Sequence, residues 1–439
     1  MDEQRAKVPE RAKQEREIPS RWDWVEPTVW TDKMLTALEQ GVKGDKWFSL
    51  IDKVYAKANL ASAWKQVASN RGSAGIDNVS IQHYKRHAQQ RLERTSELLK
   101  TGKYKPSGVR RVWIDKPGSK DKRPLGIPTV TDRVVQTALR NVIQPIFEKE
   151  FAECSYGFRP QRGCKDALRQ VDRLIKQGYK YVVDADLKGY FDSIPQDKLK
   201  ERIAERIADG RILELLQAYL SQNVVETASS WTPEAGTPQG AVISPLLANI
   251  YLNPLDWLMS NQGYKMIRYA DDFVIMCTSQ AEAQQALEVI SEWTAKVGLT
   301  LHPEKTKVVN VDVEGFEFLG YKFIRGTKYP RTKSEQKYQD AIRQHTRRSN
   351  AHSMQVICDR LRPIQKGWFE YYKHCNSYTF KSLDSWTRRR LRSILKKRDG
   401  RRGIATVHVD NRLYPNKLLH SFGLFSLEIA HSKLCQSLT

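Results

Sequence analysis

Apolar positions recur at helical spacing through residues 31–70, where Leu35, Leu38, Leu50, Val54 and Leu60 mark one buried side. "NRGSAGID" (70–77) then breaks the pattern as a loop. Residues 109–128, "VRRVWIDKPGSKDKRPLGIP", predict a strand, a Gly/Lys-rich turn and a second short strand, which together make a basic hairpin. An amphipathic helix follows in "DRVVQTALRNVIQPIF". Residues 179–187, "YKYVVDADL", form a β-run, and 201–220 return to helical spacing with an interruption at Gly210. Residues 234–253 pass from a Gly/Pro turn into an apolar helix. "KMIRYADDFVIMCTS" (265–279) reads as a β-run, two carboxylates and a second β-run, which places Asp271 and Asp272 at a hairpin tip. A further helix, "AEAQQALEVISEWTAKVG", comes next, and there is no internal repeat.

Charge adds direction to this pattern. The chain has 439 residues, and 73 Lys and Arg outweigh 50 Asp and Glu to give +23. An excess of that size points to a polyanionic partner, most simply nucleic acid, because each phosphate contact releases counterions. With 40% hydrophobic residues and 11 Trp, 18 Tyr and 13 Phe, the chain can build real cores and is globular. Residues 1–20 are highly charged and expected to be mobile, and "RWDWVEPTVW" begins the ordered part. The acids near the N-terminus argue against a signal or transit peptide. No apolar run approaches about 18 residues, so no membrane helix is expected. None of the six cysteines forms a C-x-x-C pair, which disfavours a zinc site or disulfide framework and suits a reducing, cytoplasmic compartment.

Over half of the positive excess lies in 66 residues. Lys337–Arg402 holds eighteen Lys and Arg against five Asp and Glu, with aromatic residues from Trp368 to Trp386 interleaved. On a helix, Leu383, Trp386, Leu391, Ile394 and Leu395 share one face, and Arg388, Arg389, Arg392 and Lys396 fall largely opposite. The expectation is a helix that packs on one side and offers arginine forks to phosphate on the other. Lys366 precedes it in the same basic region.

The carboxylates carry the chemistry. Two charges roughly 4 Å apart at an effective dielectric near 20 repel by about 4 kcal/mol, so something must offset the pairing of Asp271 with Asp272. Taken alone, adjacent aspartates most often mark a solvated turn. In "YVVDADLKGYFDSI", however, strand alternation puts Asp184 and Asp186 on one face and Val183 and Leu187 on the other. Acids inside a β-run are costly unless paired or bound to a hard cation such as Mg²⁺. Two such sites converging would form a two-metal centre for in-line phosphoryl displacement, as in a polymerase or nuclease.

The blocks "KPGSKDKRPLGIPTVTDRVVQTAL", "SYGFRPQRGCKDAL", "VVDADLKGYFDSI", "GTPQGAVISPLLANIYL", "RYADDF", "GLTLHPEKTKVV" and "FEFLGYKF" run in order from about 110 to 323. Their wording and order resemble the reverse transcriptases encoded by group II introns, and "LRPIQKGWFEYYKH" resembles that family's thumb or maturase region. The resemblance implies that Asp186, Asp271 and Asp272 hold two Mg²⁺ ions, with the backbone carbonyl of Leu187. It implies Lys116 and Arg123 for the triphosphate, Phe191 as an aromatic gate under the incoming sugar, and Gln239 and Gly240 along nucleotide and template. Lys305 becomes a general acid toward pyrophosphate; Lys366, Arg388, Arg389, Arg392 and Lys396 become RNA contacts. Asp184 and Asp192 stay unassigned.

There are departures from the family's wording. Asp115 stands before Lys116, where it either weakens nucleotide binding or points away along the strand. Ala241 replaces a frequent glycine and is expected to tighten the nucleotide pocket. "SPLL" fits intron enzymes better than diversity-generating ones. The resemblance implies a type without the C-terminal endonuclease, priming from existing DNA ends.

The expected architecture is α+β: a right-hand polymerase with an antiparallel palm sheet, followed by an α-helical thumb and maturase region. The expected units are a flexible 1–30, a helical extension 31–60, fingers and palm 61–325, and a basic helical domain 326–439. The residues before 61 either support template binding or simply pack. The expected activity is RNA-directed DNA synthesis on the enzyme's own intron RNA, with dNTPs and a DNA primer, plus assistance to splicing, in a bacterial cytoplasmic ribonucleoprotein. The rivals are an RNA-binding splicing cofactor alone, or a domesticated enzyme of repair or phage defence.

Overall fold

A computed structural model describes residues 20–115, 122–226, 229–231, 235–237, 240–401 and 407–437. The strands are β1 Val109–Asp115, β2 Lys122–Ile127, β3 Tyr181–Asp186, β4 Val224–Glu226, β5 Ser229–Trp231, β6 Lys265–Tyr269, β7 Asp272–Cys277, β8 Lys307–Asn310, β9 Phe316–Phe318, β10 Tyr321–Ile324 and β11 Thr327–Pro330. They form three sheets, and the architecture is the expected α+β. The palm sheet has the order β6-β7-β3-β8 and is antiparallel throughout.

This sheet separates two cores. Val183, Ala185 and Leu187 face one core, which includes Leu246, Leu247 and Ile250 of helix Ser244–Asn261 and Ala283, Ala286 and Ile290 of helix Gln280–Val297. Val182, Val274 and Met276 face the other, with helix Cys164–Lys176, the β11-β10-β9 sheet and the C-terminal helices. Strand alternation therefore leaves Asp184 and Asp186 on the second face, both half-buried, with Asp186 at the strand's end.

The expected hairpin at 109–128 is β1 with β2, and it joins β4 and β5 in a separate sheet where β1 and β4 run parallel. The break at Gly210 is real: Asp209 caps helix Gly210–Leu220 by accepting from the Arg211 and Ile212 amides. Helices Asp32–Gln40, Ile51–Tyr55 and Lys57–Ser69 fill the expected N-terminal helical stretch. Trp22, Val29 and Trp30 are buried in the same core as helix Val130–Glu148, and the Trp30 indole donates to the Asn141 carbonyl at 3.0 Å. The ordered part thus begins before residue 31, and these two tryptophans pack rather than lie open to a template. Residues 1–19 lie outside the described residues.

Helices Met354–Tyr372 and Ser377–Arg398 form the basic helical region, closed by Val407–Leu413, Asn416–Ser421 and Leu427–Gln436. Among the described residues no helix is long and apolar enough to cross a membrane.

Candidate active site

The site is built on the two central palm strands. Asp186 ends β3 and stands directly opposite Asp272, the first residue of β7. Tyr269 pairs with Asp272 across the β6–β7 hairpin, leaving Ala270 and Asp271 as a two-residue turn. Ala270 has φ +61°, the mirror-image conformation that suits the twist of a tight hairpin. Asp186, Asp272 and Tyr269 therefore share one face at the sheet's open end, with Asp271 at the tip.

A buried cation fixes this tip. Arg268 is fully buried on β6, and its guanidinium donates to Asp256 Oδ1 at 2.7 Å, Asp256 Oδ2 at 2.5 Å, Asn249 Oδ1 at 2.9 Å, Ser155 Oγ at 2.8 Å and the Ala270 carbonyl at 2.9 Å. Five acceptors satisfy the guanidinium fork, so the charge is held despite burial. Sequence reading missed this network. The signal was present: Arg268 and Asp256 are single charges inside apolar runs, which must find partners.

The carboxylates are crowded. Burial, with the charges of Asp184, Asp271 and Asp186, pushes Asp272 up to about 7. Burial raises Asp271, with Asp186 adding to the rise and Arg123 and Arg268 opposing it. Asp184, which pairs with Lys307 of β8, is pushed up by burial to about 6, with the Lys307 charge opposing. Lys305 Nζ lies 2.6 Å from Asp186 Oδ2 and remains mostly exposed. Its turn is anchored where the His302 amide donates to the Asp186 carbonyl at 2.7 Å and the Lys188 amide to the Thr300 carbonyl at 2.9 Å. That pattern makes Leu187 and Leu301 a non-hydrogen-bonded pair, so the Leu187 carbonyl points away from Leu301. Among the described residues no group of three or more His, Cys, Asp and Glu stands as a preformed metal cage.

The neighbouring elements arrive at the same end. Arg123 sits on β2 opposite Ile114, and its charge reaches Asp271. Gly240 has φ +101°, and a Cβ there would lie 2.4 Å from the Gly126 carbonyl of β2, so only glycine lets these segments meet. Phe191 packs edge-on to Tyr190 at 5.6 Å, and its carbonyl accepts from the Thr237 amide at 2.6 Å. Ala241 is buried, and the next amide, Val242, donates to Gln136 Oε1 at 2.8 Å; its methyl is a packing group. Asp115 is exposed opposite Lys122. Lys116 and Gln239 lie outside the described residues.

The expected RNA face of helix Ser377–Arg398 needs correction. Arg392 is buried, donating to the Tyr414 carbonyl at 2.9 Å and to Asn416 Oδ1 at 2.6 Å. Lys396 is buried against Asp410 at 3.0 Å, and Arg388 is largely covered beside Asp384 at 3.8 Å. Asp384 accepts from Ser426 Oγ at 2.6 Å and from the Leu427 and Glu428 amides at 3.1 Å each. These four residues form an i,i+4 row, and the helices after residue 407 cover it. Arg389 stays exposed, as does Lys366, whose ammonium lies 6.0 Å from the Phe425 ring centre.

Comparisons with known proteins give the family. Residues 114–323 match the family described as "Reverse transcriptase (RNA-dependent DNA polymerase)", and residues 335–408 match "Group II intron, maturase-specific domain". Group II intron-encoded protein LtrA of Lactococcus lactis subsp. cremoris is 38% identical over 196 residues, covering 44% of this chain and 32% of that protein. Protein YkfC of Escherichia coli (strain K12) is 32% identical over 307 residues, covering 61% of this chain and 80% of that protein. A chain of the structure "Partial Cas6-RT-Cas1--Cas2 complex" is 25% identical, covering 58% of this chain and 44% of that one, with a TM-score of 0.37. The aligned region thus spans about a third of LtrA's length. With both matched regions in order on one chain, and a relative aligned over four-fifths of its length, the chain belongs to the reverse transcriptases that carry the group II intron maturase-specific domain.

Proposed function

We propose that this protein is an RNA-directed DNA polymerase that copies intron RNA from a DNA primer and also assists splicing of that RNA. The observation that carries the reading is the opposition of Asp186 and Asp272 at the open end of the palm sheet, with Asp271 on the turn and Lys305 and Arg123 brought to the same end. The donor set is oxygen only and too negative to sit at ease, which fits a hard divalent cation. Asp186, Asp271, Asp272 and the Leu187 carbonyl would hold two Mg²⁺. Bound there, the ions would supply charge that stabilises the attacking and leaving oxygens of an in-line displacement.

The chain's own groups do the rest. Arg123, with Lys116, binds the triphosphate and orients its α-phosphorus toward the primer 3′-hydroxyl. Phe191 acts as the aromatic gate under the incoming sugar, excluding a 2′-hydroxyl and so favouring deoxynucleotides. Gln239 and Gly240 line the nucleotide and template. The Lys305 ammonium holds a proton near the leaving pyrophosphate and can deliver it as general acid. Exposed Arg389 and Lys366 bind RNA phosphates.

The splicing role rests on the maturase-specific match at 335–408. The setting is a cytoplasmic ribonucleoprotein of a bacterium. The test is a paired assay on one RNA that carries the cognate intron: cDNA yield with primer, dNTPs and Mg²⁺, and splicing at a Mg²⁺ level where the RNA alone is inactive. Both activities are expected. Splicing without cDNA would leave the cofactor reading standing and refute the polymerase.

A further inference from the structure

The loop that carries Phe158 has no role in the chemistry described above. It is nevertheless held beside the carboxylate tip by an unusual amount of structure. The chain from Cys154 to Tyr156 pairs in parallel with the edge of β6: the Arg268 amide donates to the Cys154 carbonyl and the Tyr156 amide to the Arg268 carbonyl, each at 2.8 Å. Gly157 follows, so close to the turn that a Cβ would lie 2.3 Å from the Ala270 nitrogen. Asn249 Nδ2 donates to the Gly157 carbonyl at 2.8 Å.

Beyond Phe158, Arg159 is buried and donates to Glu148 Oε1 at 2.9 Å, to the Ala152 carbonyl at 2.6 Å and to the Ser155 carbonyl at 2.9 Å. Arg162 is tied to Glu153. Between these anchors Phe158 has φ +58°, a conformation that bulky side chains rarely adopt. The residue is 49% exposed, and its ring lies 6.3 Å from the Tyr269 ring. An apolar ring is thus kept in strain and in water by a frame that over-determines it, which is where function is sought.

Its position suggests the ligand. Across the sheet, Asp186, Asp272 and Tyr269 lie side by side on one face; the parallel register puts Tyr156 next to Tyr269, and Phe158, two residues nearer the turn, brings its ring to 6.3 Å from that of Tyr269. Strands are spaced about 4.8 Å apart, so the segment that carries Phe158 lies two strand spacings, or about 10 Å, across the sheet from β7, where Asp272 sits. Stacked nucleotides rise about 3.4 Å each, which places the ring a few nucleotides from the reacting end.

We infer that Phe158 and Tyr269 form an aromatic ledge that supports the primer strand just upstream of its 3′ terminus, making Phe158 a positioning residue for the primer. This rests on the polymerase reading. It assigns Phe158 to primer sugar and base edges, not to the incoming nucleotide.

The experiment compares wild type with Phe158→Ala, Phe158→Gly and Phe158→Tyr. Affinity for a labelled DNA primer annealed to RNA is read by anisotropy without dNTPs, and KM for primer–template and for dNTP is read in extension. Phe158→Ala is expected to weaken primer–template binding and raise its KM by about tenfold, the scale of losing one aromatic–base contact. The KM for dNTP should stay within about twofold. Phe158→Tyr should restore binding. Phe158→Gly, which relieves the backbone, should melt no lower than wild type yet show the same binding loss. Unchanged primer affinity in Phe158→Ala, or a deficit that appears only with a lower melting point, overturns the inference. Because affinity is read without turnover, a wild type that binds primer–template but extends nothing refutes the polymerase reading instead.

Discussion

Asp272 shows what the site costs the fold. Its carboxyl is half-buried beside Asp184, Asp186 and Asp271, which pushes it up from the ordinary 3.8 to about 7. The native state therefore binds more protons than the unfolded chain between about pH 4 and 7, so stability falls as pH rises through that window. In the presence of a chelator, wild type should melt lower at pH 8 than at pH 5. Asp272→Asn should flatten this dependence and stabilise the metal-free protein at pH 8, by on the order of 2 kcal/mol, while abolishing extension. Calorimetry across pH checks it. Arg268 behaves in the opposite way. Arg268→Ala strands the Asp256 charge in the core and should destabilise by about 3–5 kcal/mol, read by denaturant titration. Gly240→Ala drives a methyl toward the Gly126 carbonyl and should lower extension without changing RNA affinity, checked by the two assays together.

At the scale of elements, two faces of one helix make different predictions. Arg392 is buried against Tyr414 and Asn416, and Arg389 is exposed. Arg392→Ala should lower the melting temperature by several degrees, and Arg389→Ala should leave it unchanged while weakening RNA binding about two- to fivefold. Helical spacing alone had put both residues on the phosphate-binding side. It could not show that helices after residue 407 return to cover the row from Asp384 to Lys396, because a helix's apolar stripe does not reveal a polar face buried through ion pairs. The palm strands were legible for the converse reason. Asp184 and Asp186 interrupt a β-run at period 2, and Asp271 and Asp272 sit between two β-runs, so alternation and turn chemistry agree. What alternation could not give was register. That Asp186 faces Asp272, and that Lys305 folds back to Asp186 across 119 residues of chain, are tertiary facts. The short strands β9, β10 and β11, three or four residues each, carry too little pattern to be read as a sheet.

Over the whole molecule, the net charge of +23 suits the nucleic-acid substrate proposed above, and the two cores lie on either side of the palm sheet. One core joins the N-terminal tryptophans to helices Lys57–Ser69 and Val130–Glu148 and to one face of the palm sheet; the other joins the opposite face to the basic helical region. RNA affinity should therefore fall steeply with salt, log K declining linearly with log salt concentration; for a single strand each lost phosphate contact removes about 0.7 from the slope. The most direct measurement is primer extension on an RNA template with Mg²⁺ and dNTPs, comparing wild type with the Asp271→Asn, Asp272→Asn double variant at equal RNA occupancy. Full-length cDNA from wild type and none from a variant that binds RNA equally well is the predicted result. Extension by the double variant at the wild-type rate would show that the chemistry does not run through the opposed palm carboxylates.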